Sequence, residues 1–106
     1  MGIISKSWGD GQVSNSLGAV ATIAANEYGV AVLLELHNTD GSSVTVDVYK
    51  NLSGTDRKLR PILIPAGGSA EFGLGDLPPG TIVKAVATTA SVVNYAVTGG
   101  SLGANC

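Results

Sequence analysis

Residues Leu77 to Gly99 constrain the fold more than any other stretch of this chain. Pro78-Pro79-Gly80 marks a turn, and Thr81 to Ala87 read as a strand. Thr88 to Ser91 form a small-residue break, and Val92 to Thr98 read as a second strand before Gly99-Gly100. Small and β-branched residues make up nearly all of it, a composition that suits a pleated surface and not a helix. The pattern predicts a β-hairpin and an all-β fold, and offers nothing for acid–base or metal chemistry.

The remaining strands follow the same period of two. Leu17 to Ala24 form a weak first strand. Val30, Val32, Leu34 and Leu36 share one face of the next, with Ala31, Leu33, Glu35 and His37 on the other. Asn38-Thr39-Asp40-Gly41 reads as a hairpin turn, because Gly41 can take positive φ. Val44, Val46 and Val48 then alternate with Thr45, Asp47 and Tyr49, and Asn51 to Asp56 read as a polar loop. Leu59 to Ile64 are expected at a sheet edge, since Pro61 lacks a ladder donor. Ser69 to Leu74 follow the Pro65-Ala66-Gly67-Gly68 turn.

The expectation is a single antiparallel β-sandwich, Ig-like or jelly-roll-like, of about seven strands. Extended arms flank it. Residues 1–16 show no sustained period and read as an N-terminal arm, 17–99 as the sandwich, and 100–106 as a C-terminal tail. The expected core is Val32, Leu34, Leu36, Val44, Val46, Val48, Ile62, Ile64, Phe72, Leu74, Ile82, Val86, Val93, Tyr95 and Val97. At about 1.5–3 kcal/mol per buried aliphatic side chain, such a core needs no metal or cofactor.

A chain of 106 residues makes one domain. Only 13% of it is charged, against about 25% in an ordinary domain. Either neighbouring subunits cover part of the surface, or the surface is simply rich in Thr, Ser and Gly. The net charge of −2 gives no attraction to nucleic acid or to an anionic membrane. Cys106 is the sole cysteine and cannot form an internal disulfide; it is expected to be an incidental thiol, with an intermolecular disulfide as the alternative. No export signal is visible. The longest apolar run, Val30 to Leu34, is far short of the ~20 residues of a span. Met1-Gly2 fails the myristoylation pattern because Lys6 stands where Ser or Thr is wanted.

The residues capable of chemistry are scattered. His37 is the only histidine, and no Gly-x-Ser-x-Gly elbow accompanies it. Asp40, Asp47, Asp56, Glu71 and Asp76 lack calcium-loop spacing. The expected catalytic, cofactor and metal residues are therefore none. Asn51-Leu52-Ser53 matches a glycosylation sequon by coincidence. Arg57-Lys58-Leu59-Arg60 is the one charge cluster, too small and too poor in aromatics for nucleic acid. It reads as a solvated loop entering an edge strand, or as a contact for an acidic partner surface. Trp8 either covers the domain's own core or docks on a neighbour. Ile3, Ile4, Trp8, Arg57, Lys58 and Arg60 are the candidate interface residues.

Three stretches resemble small virion proteins of tailed bacteriophages. The first is Ser16-Leu17-Gly18 through Ile23-Ala24, followed by an apolar strand ending in His37-Asn38-Thr39-Asp40. The second is Val44-Thr45-Val46-Asp47-Val48-Tyr49. The third is Leu77-Pro78-Pro79-Gly80-Thr81-Ile82, then Lys84-Ala85, Ala87-Thr88-Thr89-Ala90-Ser91 and Val93-Asn94-Tyr95-Ala96-Val97-Thr98-Gly99. The sequence departs from that pattern where Asn26-Glu27-Tyr28-Gly29 replaces a Pro-Ala-Gly turn. The resemblance implies a non-enzymatic β-sandwich virion component, foremost a decoration or cement protein on the capsid surface. A neck, tail or fibre component is the alternative, and a carbohydrate-binding or adhesion module a more distant one. The implied partners are the major capsid protein or other virion proteins, with self-association on the particle and synthesis in the host cytoplasm. The matching motifs are turn and core residues, so they carry over no catalytic or ligand-binding residue.

Overall fold

A computed structural model describes residues 3–103. The readings made for Met1-Gly2 and Cys106 fall outside that range. Eight strands run in order: β1 (Ile4–Gln12), β2 (Gly18–Thr22), β3 (Glu27–Asn38), β4 (Val44–Leu52), β5 (Thr55–Ile64), β6 (Ser69–Leu77), β7 (Ile82–Ala87) and β8 (Val93–Gly103). They form two antiparallel four-stranded sheets, ordered β1-β8-β3-β6 and β2-β7-β4-β5. We call them the first and second sheet. Except at the β4–β5 hairpin, each successive strand lies in the other sheet, which is jelly-roll topology and not the Ig-like arrangement.

Two predicted hairpins are therefore corners. β7 and β8 lie in different sheets, and so do β3 and β4. Turn residues specify that a chain reverses; they do not specify whether the next strand pairs with the last one or crosses the core. Here side chains secure the crossings. Asn38 is fully buried at the β3–β4 corner. Its Nδ2 donates to the carbonyls of Ser42 (2.9 Å) and Ile64 (3.1 Å), and its Oδ1 accepts from the Asp40 amide at 2.9 Å. The Thr39 hydroxyl donates to the Val92 carbonyl at 2.7 Å, tying that corner to the β7–β8 one. Thr81, also fully buried, donates its hydroxyl to the Pro78 carbonyl at 2.8 Å.

The stretch expected to be an N-terminal arm contains β1. Ile4 to Gln12 pair with Ser101 to Asn94 of β8, and of the expected tail Gly100 and Ser101 belong to that ladder while Leu102 and Gly103 pair with Tyr28 and Glu27 of β3. Glycines and serines hide the strand from a periodicity reading, and the partner that fixes it lies more than 80 residues away. The expected polar loop at 51–56 narrows to Ser53-Gly54, whose positive φ angles of 65° and 87° suit a tight two-residue hairpin. β5 is an edge strand, as Pro61 predicts.

The core lies between the sheets, with Ile23, Leu34, Leu36, Ile64 and Leu77 its largest fully buried side chains. β4 buries the predicted face, and β3 does so from Val32 on; Val30, expected to share that face, is only half-buried, because the strand is irregular between Val30 and Val32. β7 buries the other one: Val83, Ala85 and Ala87 point inward, while Ile82 and Val86 share the outer face with Lys84. The lysine decides this phase, because a charge cannot enter an unpartnered core. Ile62, Phe72, Leu74 and Tyr95 are partly buried against the core, and Val13, Val20, Ile23 and Leu77 belong to it unpredicted.

Candidate functional site

The candidate interface residues do not form one patch. Ile3 and Ile4 lead into β1, while Arg57, Lys58 and Arg60 lie on β5. β1 and β5 edge their sheets on opposite sides of the sandwich. Ile3 is 58% exposed and Ile4 71%, at one edge. At the other, Leu59 is exposed and Leu63 is 68% exposed. Isolated exposed leucines are ordinary, and both edges also carry the features that discourage strand pairing, Lys6 and Asp10 on β1 and Arg57, Lys58, Arg60 and Pro61 on β5, so the exposed apolar side chains stand among charges.

Trp8 is half-buried and packs against the core. Its indole N–H donates to Glu27 Oε1 at 3.0 Å. The same carboxylate accepts from Lys6 Nζ at 2.9 and 2.8 Å, from the Ala24 amide at 3.0 Å and from the Ser101 hydroxyl at 2.6 Å. Glu27 itself is 6% exposed. Burial pushes its pKa up, but Lys6, Ser101, Ala24 and Trp8 together outweigh burial and hold it at about 2. This clasp joins β1, β3 and β8. Sequence reading missed it because the side-chain partners are 19, 21 and 74 residues from Glu27. It engages the polar tip of Trp8 within the chain.

The Arg57–Arg60 cluster is split by a register shift between Val48 and Tyr49 of β4, which leaves Leu59 as the extra residue. Lys58 faces outward beside Asp47, 3.4 Å away. Arg57 and Arg60 share the other face, opposite Lys50 and Val48. Arg57 and Leu59 line a shallow groove with Lys50, Leu52 and Thr55. The groove sits at the hairpin tip, which extends past the start of β7 opposite Asn51. On the outer face of the second sheet, charges are satisfied internally: Asn51 donates to Asp56 at 2.7 Å and Lys84 pairs with it at 2.9 Å. Those two groups hold the Asp56 carboxyl below its usual range.

His37 lies exposed on the outer face of the first sheet, its Nδ1 2.8 Å from Ser69 Oγ. It borders a shallow concavity lined by Glu35, Glu71, Asn94, Tyr95 and Ala96. Among the described residues, no three His, Cys, Asp or Glu side chains converge to hold a metal ion.

No family model matches the chain, and no curated protein matches it. Solved structures do. The chain is similar to a structure described as Bacillus endospore appendages forming a family of disulfide-linked pili, at 18% identity and a TM-score of 0.57, covering 95% of this chain and 88% of that one. It is also similar to a chain of the T13 IBDV viral particle, at 11% identity and a TM-score of 0.54, covering 91% of this chain and 30% of that one. The third is the STIV MCP, at 11% identity and a TM-score of 0.51, covering 94% and 40%. At these identities the likeness is one of fold: the chain has the β-sandwich found in viral capsid proteins and in a spore pilus. It spans nearly the whole pilus chain but less than half of either capsid chain.

Proposed function

We propose that this chain is a non-enzymatic structural subunit of a virus particle, held by protein–protein contacts along its strand edges. The observation that carries the reading is the pair of exposed apolar edges, Ile3–Ile4 on one side of the jelly roll and Leu59–Leu63 on the other. A subunit with sticky groups on two opposite sides can bridge two neighbours, as an extended lattice requires. The capsid-type fold supports a virion setting, and the motif resemblance supports a tailed phage. Within that setting we favour a decoration or cement role against the major capsid protein, in which many copies turn weak contacts into large avidity.

The test is copy number per purified particle, by quantitative mass spectrometry against the major capsid protein. A ratio near one per capsid subunit, or a simple fraction of it, supports the decoration role. A dozen copies or fewer places the chain in a neck or tail, and its absence from particles overturns the virion reading. A second reading, a fibre or pilus subunit, is favoured by one observation: the fold match covers 88% of the pilus chain.

A further inference from the structure

The ion pairs leave charges of opposite sign on two different surfaces. Lys6, Lys58 and Lys84 pair with Glu27, Asp47 and Asp56. Among the described residues, Lys50, Arg57 and Arg60 have no such partner; Lys50 and Arg57 share the groove at the tip of the β4–β5 hairpin, whereas Arg60 lines a groove between β5 and β6 together with Glu71. Lys50 stands directly across from Arg57, an unfavourable like-charge pair, with exposed Leu52 and Leu59 beside it.

The outer face of the first sheet is the counterpart. Asp10 of β1 is opposite Ala96 of β8, Ala96 is opposite Glu35 of β3, and Glu35 is opposite Glu71 of β6. This single cross-strand row carries three carboxylates, all exposed and none in an ion pair among the described residues. Glu35 and Glu71 form a second like-charge pair, beside the concavity floored by Ala96. Each pair alone is repulsive, and in each the two Cβ atoms stand roughly 5 Å apart.

We propose that the hairpin face of one copy docks on the outer face of the first sheet of a second copy, with Lys50 and Arg57 against Glu35 and Glu71. This inference deepens the structural-subunit reading and rests on it. The two contact surfaces differ, so the interface is heterologous, and repetition generates a ring or an open array and not a closed dimer. Charge complementarity sets the register and apolar burial of Leu52 and Leu59 adds affinity.

Sedimentation velocity on the purified chain, up to about 1 mM to reach weak contacts, tests this with two double variants, E35K/E71K and K50E/R57E. All four positions are at the surface, and urea midpoints confirm folding; E35Q/E71Q serves if a reversal fails to fold. The expected result is concentration-dependent growth of the wild type, at least about tenfold weaker association in each variant alone, and restored association when the two are mixed, because the reversed surface of each then complements the other. A wild type that stays monomeric, reversals without effect, or a mixture that fails to associate each overturns the pairing. Copy number in particles is read independently, so the pairing can fail while the structural-subunit reading stands.

Discussion

Glu27 is an ionised carboxylate with 6% exposure, held by four donor groups from β1, the β2–β3 loop and β8. Replacing it with glutamine keeps the volume and leaves Lys6 unpaired. Lys6 is 40% exposed on its side chain, which screens the pair, so Glu27→Gln is expected to destabilise by about 2 kcal/mol at pH 7, below the range for a fully buried pair. The pH dependence follows from the pKa. It falls from 4.5 to about 2 on folding. The unfolded chain therefore binds the proton first as pH drops, and the stabilisation is complete above about pH 4.5 and lost as pH falls through 2. Urea midpoints at several pH values check this: the gap between wild type and Glu27→Gln is wide at pH 7 and closes near pH 2. A gap that stays constant with pH would show that the clasp acts through packing alone.

At the scale of the element, β3 changes the face it buries part-way along. Glu27 and Gly29 point inward, then Val32, Leu34, Leu36 and Asn38 do, so the buried parity switches at Val30–Ala31. The switch is a bulge, with Ala31 at a φ of 49° and its amide donating to Asp76 Oδ1 at 3.0 Å. Without the bulge, either Glu27 would leave its clasp or the leucines would leave the core. Glycine tolerates this φ and a β-branched residue does not. Ala31→Gly is thus expected to hold or raise stability by up to about 1 kcal/mol, and Ala31→Val to lower it by roughly 2 kcal/mol. Thermal unfolding of the two variants against wild type decides it; equal losses for both would show that the backbone angle is not what matters. Legibility in the sequence divides along the same line. The regular half of β3 and all the valines of β4 announced their faces through simple alternation. The bulge, the β1 pairing and the sheet-crossing corners depend on partners remote in sequence, and β7 offered two nearly equal apolar faces that only Lys84 told apart. Of the candidate interface, the charges Arg57, Lys58 and Arg60 announced their exposure, whereas alternation could not tell exposed Ile3 and Ile4 from half-buried Trp8, and the division of Arg57 from Lys58 across two faces needed the register of β5.

At the scale of the whole molecule, Ile3 and Ile4 separate folding from assembly. Both are more than half exposed, and Ile3 Cγ2 sits so near Gly100 that any Cβ there would collide with it, so the glycine lets this end of the chain lie against β8. Side chains so exposed contribute little to the fold, and Ile3→Ser with Ile4→Ser is expected to change the unfolding free energy by no more than about 0.5 kcal/mol, leaving the urea midpoint nearly unchanged. If a neighbouring subunit covers them, each buried isoleucine contributes about 1.5–3 kcal/mol to the contact, so the pair of substitutions weakens it by roughly a hundredfold or more. Competition between wild-type and doubly substituted chains for incorporation into particles reads that number directly. Strong exclusion of the variant with an unchanged midpoint identifies the β1 edge as an assembly surface. Equal incorporation would assign these residues to the solvent face and move the assembly surface to the β5 edge, with exposed Leu59 and Leu63.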